Sequence, residues 1–400
     1  MPTERAIGAG GGGYLRHARV ARRPPHRCES YLGAVASEAG VVRFGIFFEL
    51  SVPPPFDGAS ERLVYENALE QAVLADELGF DWVWAVEHHF LEGYSHCSAP
   101  EVFLTAVAAR TERVRVGHGA VVCVPEMNHP VRVAERAAAL DILSGGRLDV
   151  GTARSSTWTE LGGFDVDPDM TKQTWDEFVH VLPKMWSGEP VSHDGIGWRM
   201  PERRVLPTPV QHPHPPLWVT VTTPGTELDA ADRGIGCLGV AAVSFAEQER
   251  RTAEYRRRIQ LCDPVGGVND AITTQNFLYC HEDLDHAAAV GGAMATTFGL
   301  ENAHLLWTRE AYPTSAYQSL GNLAPPAVKK ETGAPGERRP LPEGVAIGDP
   351  ARIIHEIERW QNVGIDGINF MLNAMEQIPQ EDVLASMRLF AAEVMPKFRP

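Results

Sequence analysis

The sequence predicts a (β/α)8 barrel, on three observations. Eight short apolar runs alternate with helical segments from residue 43 onward, no second cluster of strands interrupts the series, and several runs end in polar or glycine-rich sequence. A doubly wound sheet is the alternative architecture that the same alternation allows.

The first strand is Arg43-Phe44-Gly45-Ile46-Phe47-Phe48, a short apolar run that reads as buried. Pro53-Pro54-Pro55 and Asp57-Gly58 mark a loop, and a helix over 61–78 stops at Gly79, the residue type expected at a C-cap. Strand two, 82–86, is apolar on both faces, as a parallel strand covered by helices reads. A helix over 99–111 leads to strand three at 114–124. A helix opened by Pro130, whose missing N–H costs nothing at a first helical position, leads to strand four at 148–151. The helix over 171–186 carries an apolar stripe of Trp175, Phe178, Val179, Leu182 and Trp186. Between 188 and 216 a Pro- and His-rich insertion after strand four reads as a β-hairpin (191–200, then 204–206) outside the barrel. Strand five is 217–221 with a helix over 224–233, strand six is 236–243 with a helix over 245–261, and strand seven is 272–279. The helical sequence that follows loses its rhythm after Gly299, and the long insertion up to Gly348 reads as a lid, because connections of that length are usually functional or disordered. A helix opened by Asp349-Pro350, strand eight at 367–371 and an amphipathic helix over 380–393 end the series.

A chain of 400 residues with 44% hydrophobic content can bury one large core, placed here over residues 42–400 as a single domain. A formal net charge of -16 argues against a nucleic-acid partner, whose phosphates are held by Lys and Arg. The six cysteines are scattered without a Cys-x-x-Cys pair, which reads as reduced thiols in a cytoplasmic protein. No run approaches the roughly 18 apolar residues of a membrane helix, so a soluble protein with no membrane partner is expected. Residues 1–41 read as a disordered extension, with Gly10-Gly11-Gly12-Gly13, Pro24-Pro25 and several arginines; a basic targeting segment is the alternative.

In a barrel, side chains just past the carboxyl ends of the strands converge on one site. His88 and His89 follow strand two, His118 and Gly119-Ala120 lie within strand three, Arg154 follows strand four, and Thr222-Thr223 follow strand five. Glu87-His88-His89 invites a metal reading, but adjacent histidines on an extended segment point in opposite directions, and strand one offers only Phe47-Phe48-Glu49. No metal is expected; one imidazole lining the cavity as a proton donor or acceptor is the better reading. Gly119-Ala120 in mid-strand marks a bulge or a close approach of a ligand to the backbone. Thr222-Thr223-Pro224-Gly225-Thr226 reads as a helix start with Thr223 as N-cap, offering amides and hydroxyls to a phosphate with Arg154 as counter-charge. An ordinary capped helix and an arginine in a surface ion pair are the plain alternatives.

Several segments then occur in one order: Ala85-Val86-Glu87-His88-His89-Phe90, Val116-Gly117-His118-Gly119-Ala120-Val121-Val122, His129-Pro130-Val131-Arg132-Val133-Ala134-Glu135 and Leu143-Ser144-Gly145-Gly146-Arg147. Gly188-Glu189-Pro190-Val191, Pro215-Pro216-Leu217-Trp218-Val219 and Val394-Met395-Pro396-Lys397-Phe398 continue it. On these pieces the domain resembles the bacterial luciferase-like monooxygenases, the flavin-dependent barrel family of luciferase subunits and of alkane- or terpene-oxidising relatives. The resemblance implies reduced FMN as cofactor, with His88 as the active-site histidine beside the flavin ring. Gly119-Ala120 matches the place of a non-prolyl cis peptide under that ring, and Arg154, Thr222, Thr223 and Thr226 match phosphate-binding positions. It implies that reduced flavin and dioxygen form a C4a-hydroperoxide that oxygenates a small hydrophobic organic substrate, the protein keeping water out. Phe47, Trp84 and Trp158 would give the cavity its apolar wall. No Gly-x-Gly-x-x-Gly follows a strand, so a separate flavin reductase is expected as partner. A homodimer is implied by the family alone. Luciferase's catalytic subunit has a cysteine in place of Ala153 and an acidic residue in place of Thr222, so light emission is not expected. The competing readings are an F420-dependent hydride-transfer oxidoreductase of the same superfamily, a non-catalytic flavin-binding protein and a metal-dependent hydrolase.

Overall fold

The structure, a computed structural model, describes residues 41–223, 225–240, 244–307 and 341–399. The first half of the chain gives β1 (Arg43–Phe48), α1 (Gly58–Leu78), β2 (Trp82–Ala85), α2 (Pro100–Ala108), β3 (Arg115–Val122), α3 (Pro130–Ser144), β4 (Leu148–Ala153), α4 (Trp158–Gly163), α5 (Thr171–Trp186), β5 (Val191–Asp194) and β6 (Arg199–Arg203). The second gives β7 (Leu217–Val221), α6 (Thr226–Asp232), β8 (Gly236–Val240), α7 (Phe245–Ile259), β9 (Ile272–Cys280), α8 (Leu284–Trp307), β10 (Ala346–Gly348), α9 (Pro350–Val363), β11 (Gly367–Met371) and α10 (Gln380–Glu393).

Of the nine strands in the main sheet, β10 hangs from the end of β9. The other eight pair in parallel in the order β1-β2-β3-β4-β7-β8-β9-β11, and β11 returns to β1, so the sheet closes as a barrel. Parallel closure puts all eight carboxyl ends on one rim. Residues that follow β2, β4 and β7 therefore share a mouth, although they are far apart in sequence.

Strand alternation decides what fills the interior. Trp82, Trp84 and Trp218 meet there edge to face, with Trp218 at 6.2 Å from Trp82 and 5.6 Å from Trp84. Glycine makes room for them: a Cβ on Gly117 would lie 2.2 Å from the Trp84 ring. Trp84 is fully buried in this floor, so it supports the mouth from below rather than lining an open wall. Outward residues pack on the helical ring, as Phe44 does edge-on against Phe390 of α10 at 5.3 Å.

The boundaries show where local chemistry overrides periodicity. α1 begins ahead of the sequence reading because Asp57 accepts the amides of Ala59 and Ser60. The inserted hairpin is present, but β5 and β6 pair with the turn between Asp194 and Arg199, not after Met200. α8 does not lose its rhythm at Gly299; it continues to Trp307, carried by Phe298 packing on Tyr94 (5.2 Å) and Phe277 (5.5 Å). Much of the proposed lid, 308–340, lies outside the described residues, as do residues 1–40. Among the described residues no helix is long and apolar enough to cross a membrane.

Candidate active site

His88 sits between two carboxylates that the fold brings in from different elements. Its amide donates to the Cys97 carbonyl (2.9 Å), its Nδ1 lies 3.0 Å from Glu160 Oε1, and its Nε2 lies 3.7 Å from Glu49 Oε2. Glu160 is fully buried on α4 and also accepts the His89 amide (3.1 Å), the Ser155 hydroxyl (2.9 Å) and the Thr157 hydroxyl (2.7 Å). Glu49 follows β1, where Tyr94 donates its hydroxyl to Oε1 at 3.3 Å. His89 turns the other way, to Glu87 at 3.0 Å and edge-on to Phe164. The paired imidazoles are thus divided between separate carboxylates. Among the described residues no group of three or more His, Cys, Asp or Glu side chains could hold a metal ion.

Glu160 escaped the sequence reading because α4 has only six residues, too few for a periodic pattern. Its available signal was Thr157-Trp158-Thr159-Glu160, the Thr-x-x-Glu spacing of a capping box. Thr157 does cap α4, taking the Glu160 amide at 3.2 Å, but the carboxylate reaches to the His88 ring and the His89 amide. Glu49 was legible from alternation, since Gly45 and Phe47 face the barrel interior and Glu49 is the next inward position.

Glu87 ties the end of β2 to β3. It accepts the Val122 amide (2.9 Å) and Asn128 Nδ2 (2.6 Å), just beyond a register shift between His118 and Val121. The Gly119-Ala120 peptide in that irregularity is cis, and Gly119 lies so close to Phe47 that a Cβ would fall 2.7 Å from its ring. The bulge expected from a mid-strand glycine is present. His118, by contrast, does not join the site. Gly117 and Gly119 face inward, which turns His118 out toward Glu101 and Arg136, and burial lowers its pKa.

Arg154 and Thr222 fall on adjacent strand ends, since β4 pairs with β7 in the register Thr152↔Val219. Arg154 is partly buried and has no hydrogen-bond or ion-pair partner among the described residues, so it is not the surface ion pair of the plain reading. The helix start differs from expectation. α6 begins at Thr226 behind a left-handed Gly225 (φ 95°), Thr223 is not its N-cap, and Pro224 lies outside the described residues. The Gly225 amide goes to Glu227 (2.9 Å) and the Thr226 amide to the Thr223 carbonyl (3.2 Å), so neither amide is free for an anion as the expected helix start required. The side chains of Thr222, Thr223 and Thr226 have no partners among the described residues. Non-glycine residues with left-handed backbone follow at the same rim, at Leu50 (φ 52°), Phe90 (φ 63°) and Ser155 (φ 64°). Such backbone costs on the order of 1 kcal/mol or more per residue and concentrates at functional sites.

The charges follow from burial and proximity. Burial alone would depress His88, but the charge and hydrogen bond of Glu160, with the charge of Glu49, hold its pKa up to about 9. Burial pushes Glu49 up to about 7 against the pull of His88 and Tyr94. Burial also works to raise Glu160, but the His88 charge and the hydroxyl donors outweigh it and hold that carboxylate below its ordinary range. Relative to an ordinary value of 6.5, the raised His88 stabilises the fold fully below that pH and loses its contribution as pH rises through about 9. Glu49 slopes the same way, its penalty growing between 4.5 and about 7. The unfolding midpoint is therefore expected to fall between pH 6.5 and 9, and to flatten over the upper part of that window in His88→Gln. Calorimetry at matched ionic strength checks this, and equal slopes for both proteins would remove His88 as the cause.

Comparison with known proteins fits this geometry. The chain matches the luciferase-like monooxygenase family over residues 42–367. It is 31% identical over 366 residues to the oxygenase component of a flavin-dependent trigonelline monooxygenase from Acinetobacter baylyi, covering 89% of this chain and 96% of that one. Identity to the uncharacterized protein y4wF of Sinorhizobium fredii is 34% over 202 residues, half of this chain and 57% of that relative's length. The crystal structure of the monooxygenase RslO1 from Streptomyces bottropensis superposes with a TM-score of 0.73 at 27% identity, covering 89% of this chain and all of that one. The oxygenating constituent of 3,6-diketocamphane monooxygenase from Pseudomonas putida, in complex with FMN (TM-score 0.69, 16% identity, 89% and 99% covered), shares the barrel. So does an F420-dependent secondary alcohol dehydrogenase (TM-score 0.65, 20% identity, 90% and 100% covered). From a closed parallel barrel, a rim that gathers His88, Gly119-Ala120 and Arg154, and a family match over most of its length, the chain is a member of the luciferase-like monooxygenase family.

Proposed function

We propose that this chain is the oxygenating component of a two-component flavin monooxygenase, acting with FMN on a small hydrophobic organic substrate. The observation that carries this reading is the placing, past the carboxyl ends of one barrel's strands, of an imidazole held by carboxylates, the cis Gly119-Ala120 peptide and an Arg154 guanidinium without a partner among the described residues. The phosphate would rest against Arg154 and the hydroxyls of Thr222, Thr223 and Thr226, a donor set suited to an anion. The flat ring would lie against the cis Gly119-Ala120 peptide, whose position is fixed by Phe47 and Trp84 packing where a Gly119 Cβ would be. Reduced flavin supplies the electrons that activate dioxygen; that chemistry belongs to the cofactor. His88 is then the acid–base group beside the reacting atoms, held in orientation by Glu160, while Phe47 and the tryptophan floor keep water out.

A separate reductase fits the relative described as an oxygenase component. A homodimer would cover the apolar side chains left exposed on α2 and α3, Val102 (67%), Ile142 (43%) and Leu143 (65%). The unpaired described cysteines favour the cytoplasm.

The phosphate assignment has a direct test. Arg154→Met is expected to weaken FMN roughly 10- to 100-fold, the worth of a hydrogen bond to a charged group, and to leave riboflavin affinity nearly unchanged. Fluorescence titration of both flavins reads the difference; equal losses for the two would move the phosphate elsewhere.

A further inference from the structure

His88 needs a route by which its proton reaches solvent, and its two carboxylates are not equivalent in this respect. Glu160 is fully buried and already serves four donors, His88, the His89 amide, Ser155 and Thr157. Its carboxylate does not reach solvent. Glu49 is also nine-tenths buried, yet its Oε2 has no hydrogen-bond partner among the described residues and lies 3.7 Å from His88 Nε2. The same residue lines a small cleft between the ends of β1 and β11, together with Ser51, Gln71, Asn373 and Glu376. Glu376 sits on a turn whose backbone is left-handed at Met375 (φ 66°) and Glu376 (φ 48°), a conformation that non-glycine residues hold only where the surroundings impose it.

We propose that Glu49 is a positioning residue for His88 that takes the proton from Nε2 and passes it to water in the cleft that Glu49 lines together with Glu376. This rests on the reading of His88 as the acid–base group. The N–H bond at Nε2 breaks and an O–H bond forms at Glu49 Oε2. The neutral imidazole keeps its Nδ1–H toward Glu160. The acid then releases the proton to cleft water and returns to carboxylate. A 3.7 Å separation is long for direct transfer and closes with a small side-chain adjustment, as hydrogen bonds in unliganded sites commonly do.

The groups facing this pair come from several elements: Glu160 from α4, Glu87 beside His88 itself, and Tyr94 and Cys97 from the loop after β2. α8 contributes Asn302, which donates to the Tyr94 hydroxyl at 3.2 Å. Burial pushes Glu376 up to about 7 against a hydrogen bond from Asn67, so two carboxylates of the cleft lining change charge near neutrality.

The test uses the full chain without flavin first. By NMR, the His88 imidazole is expected to show two inflections, near pH 7 and near pH 9. Glu49→Gln should remove the lower one and move the upper one down, and Glu376→Gln should leave the upper one in place. In turnover with reduced FMN, Glu49→Gln should lower kcat roughly tenfold or more with KM unchanged and raise the solvent deuterium isotope effect, with partial recovery in Glu49→Asp. An unchanged His88 titration in Glu49→Gln overturns the proposal, and so does a changed titration with an unchanged kcat–pH profile. If flavin turnover is absent in the wild type while the titration behaves as described, the functional reading fails and the proton coupling between the two residues stands.

Discussion

His88→Gln is expected to lower turnover by roughly 10²- to 10⁴-fold, the usual contribution of a positioned acid–base group, while FMN affinity changes little. The separation follows from the geometry. His88 is held by Glu160 at the end of β2, whereas Arg154 and the threonines proposed to hold the phosphate lie past β4 and β7. Single-turnover measurements with pre-reduced FMN separate the chemical step from binding. Loss of flavin affinity together with rate would make the imidazole a ligand contact, and an unchanged rate would support a flavin-binding protein without turnover.

Glu160→Ala is expected to have the largest effect on stability. Removing one member of a buried ion pair typically costs about 3–5 kcal/mol, and here it also strands the His89 amide and the Ser155 and Thr157 hydroxyls. His88 would lose the neighbour that most raises its pKa, so its titration should move well down from about 9. Denaturant unfolding and NMR titration of the same protein check both halves. Should stability stay within about 0.5 kcal/mol of wild type, the size of a neutral surface change, Glu160 would not be a buried anchor.

Most of the barrel was legible because its strands are apolar runs closed by turn residues; β7 and β11 match the sequence reading residue for residue. What periodicity could not supply was direction and short structure. His118 lies in the strand as expected, yet it faces outward because Gly117 and Gly119 take the inward positions against Trp84 and Phe47. The start of α6 depends on a left-handed Gly225 and on Glu227 folding back to its amide, contacts no propensity scale contains. α4 is a single turn and a half, so Glu160, the carboxylate that fixes His88, was hidden in a loop-like stretch. The site residues named from sequence lie within or just past barrel strands or at the start of the helix after one, and the residue supplied by the short helix was missed.

Anaerobic titration of the chain with reduced FMN and with reduced F420, followed by admission of isotopically labelled dioxygen, distinguishes flavin-dependent oxygenation from F420-dependent hydride transfer. Expected are one FMN bound per chain, no competing F420 binding, and a single labelled oxygen atom in the product of a hydrophobic substrate from a panel of aldehydes, terpenes and sulfonates. Tight F420 binding with hydride transfer and no labelled oxygen in any product would contradict flavin-dependent oxygenation.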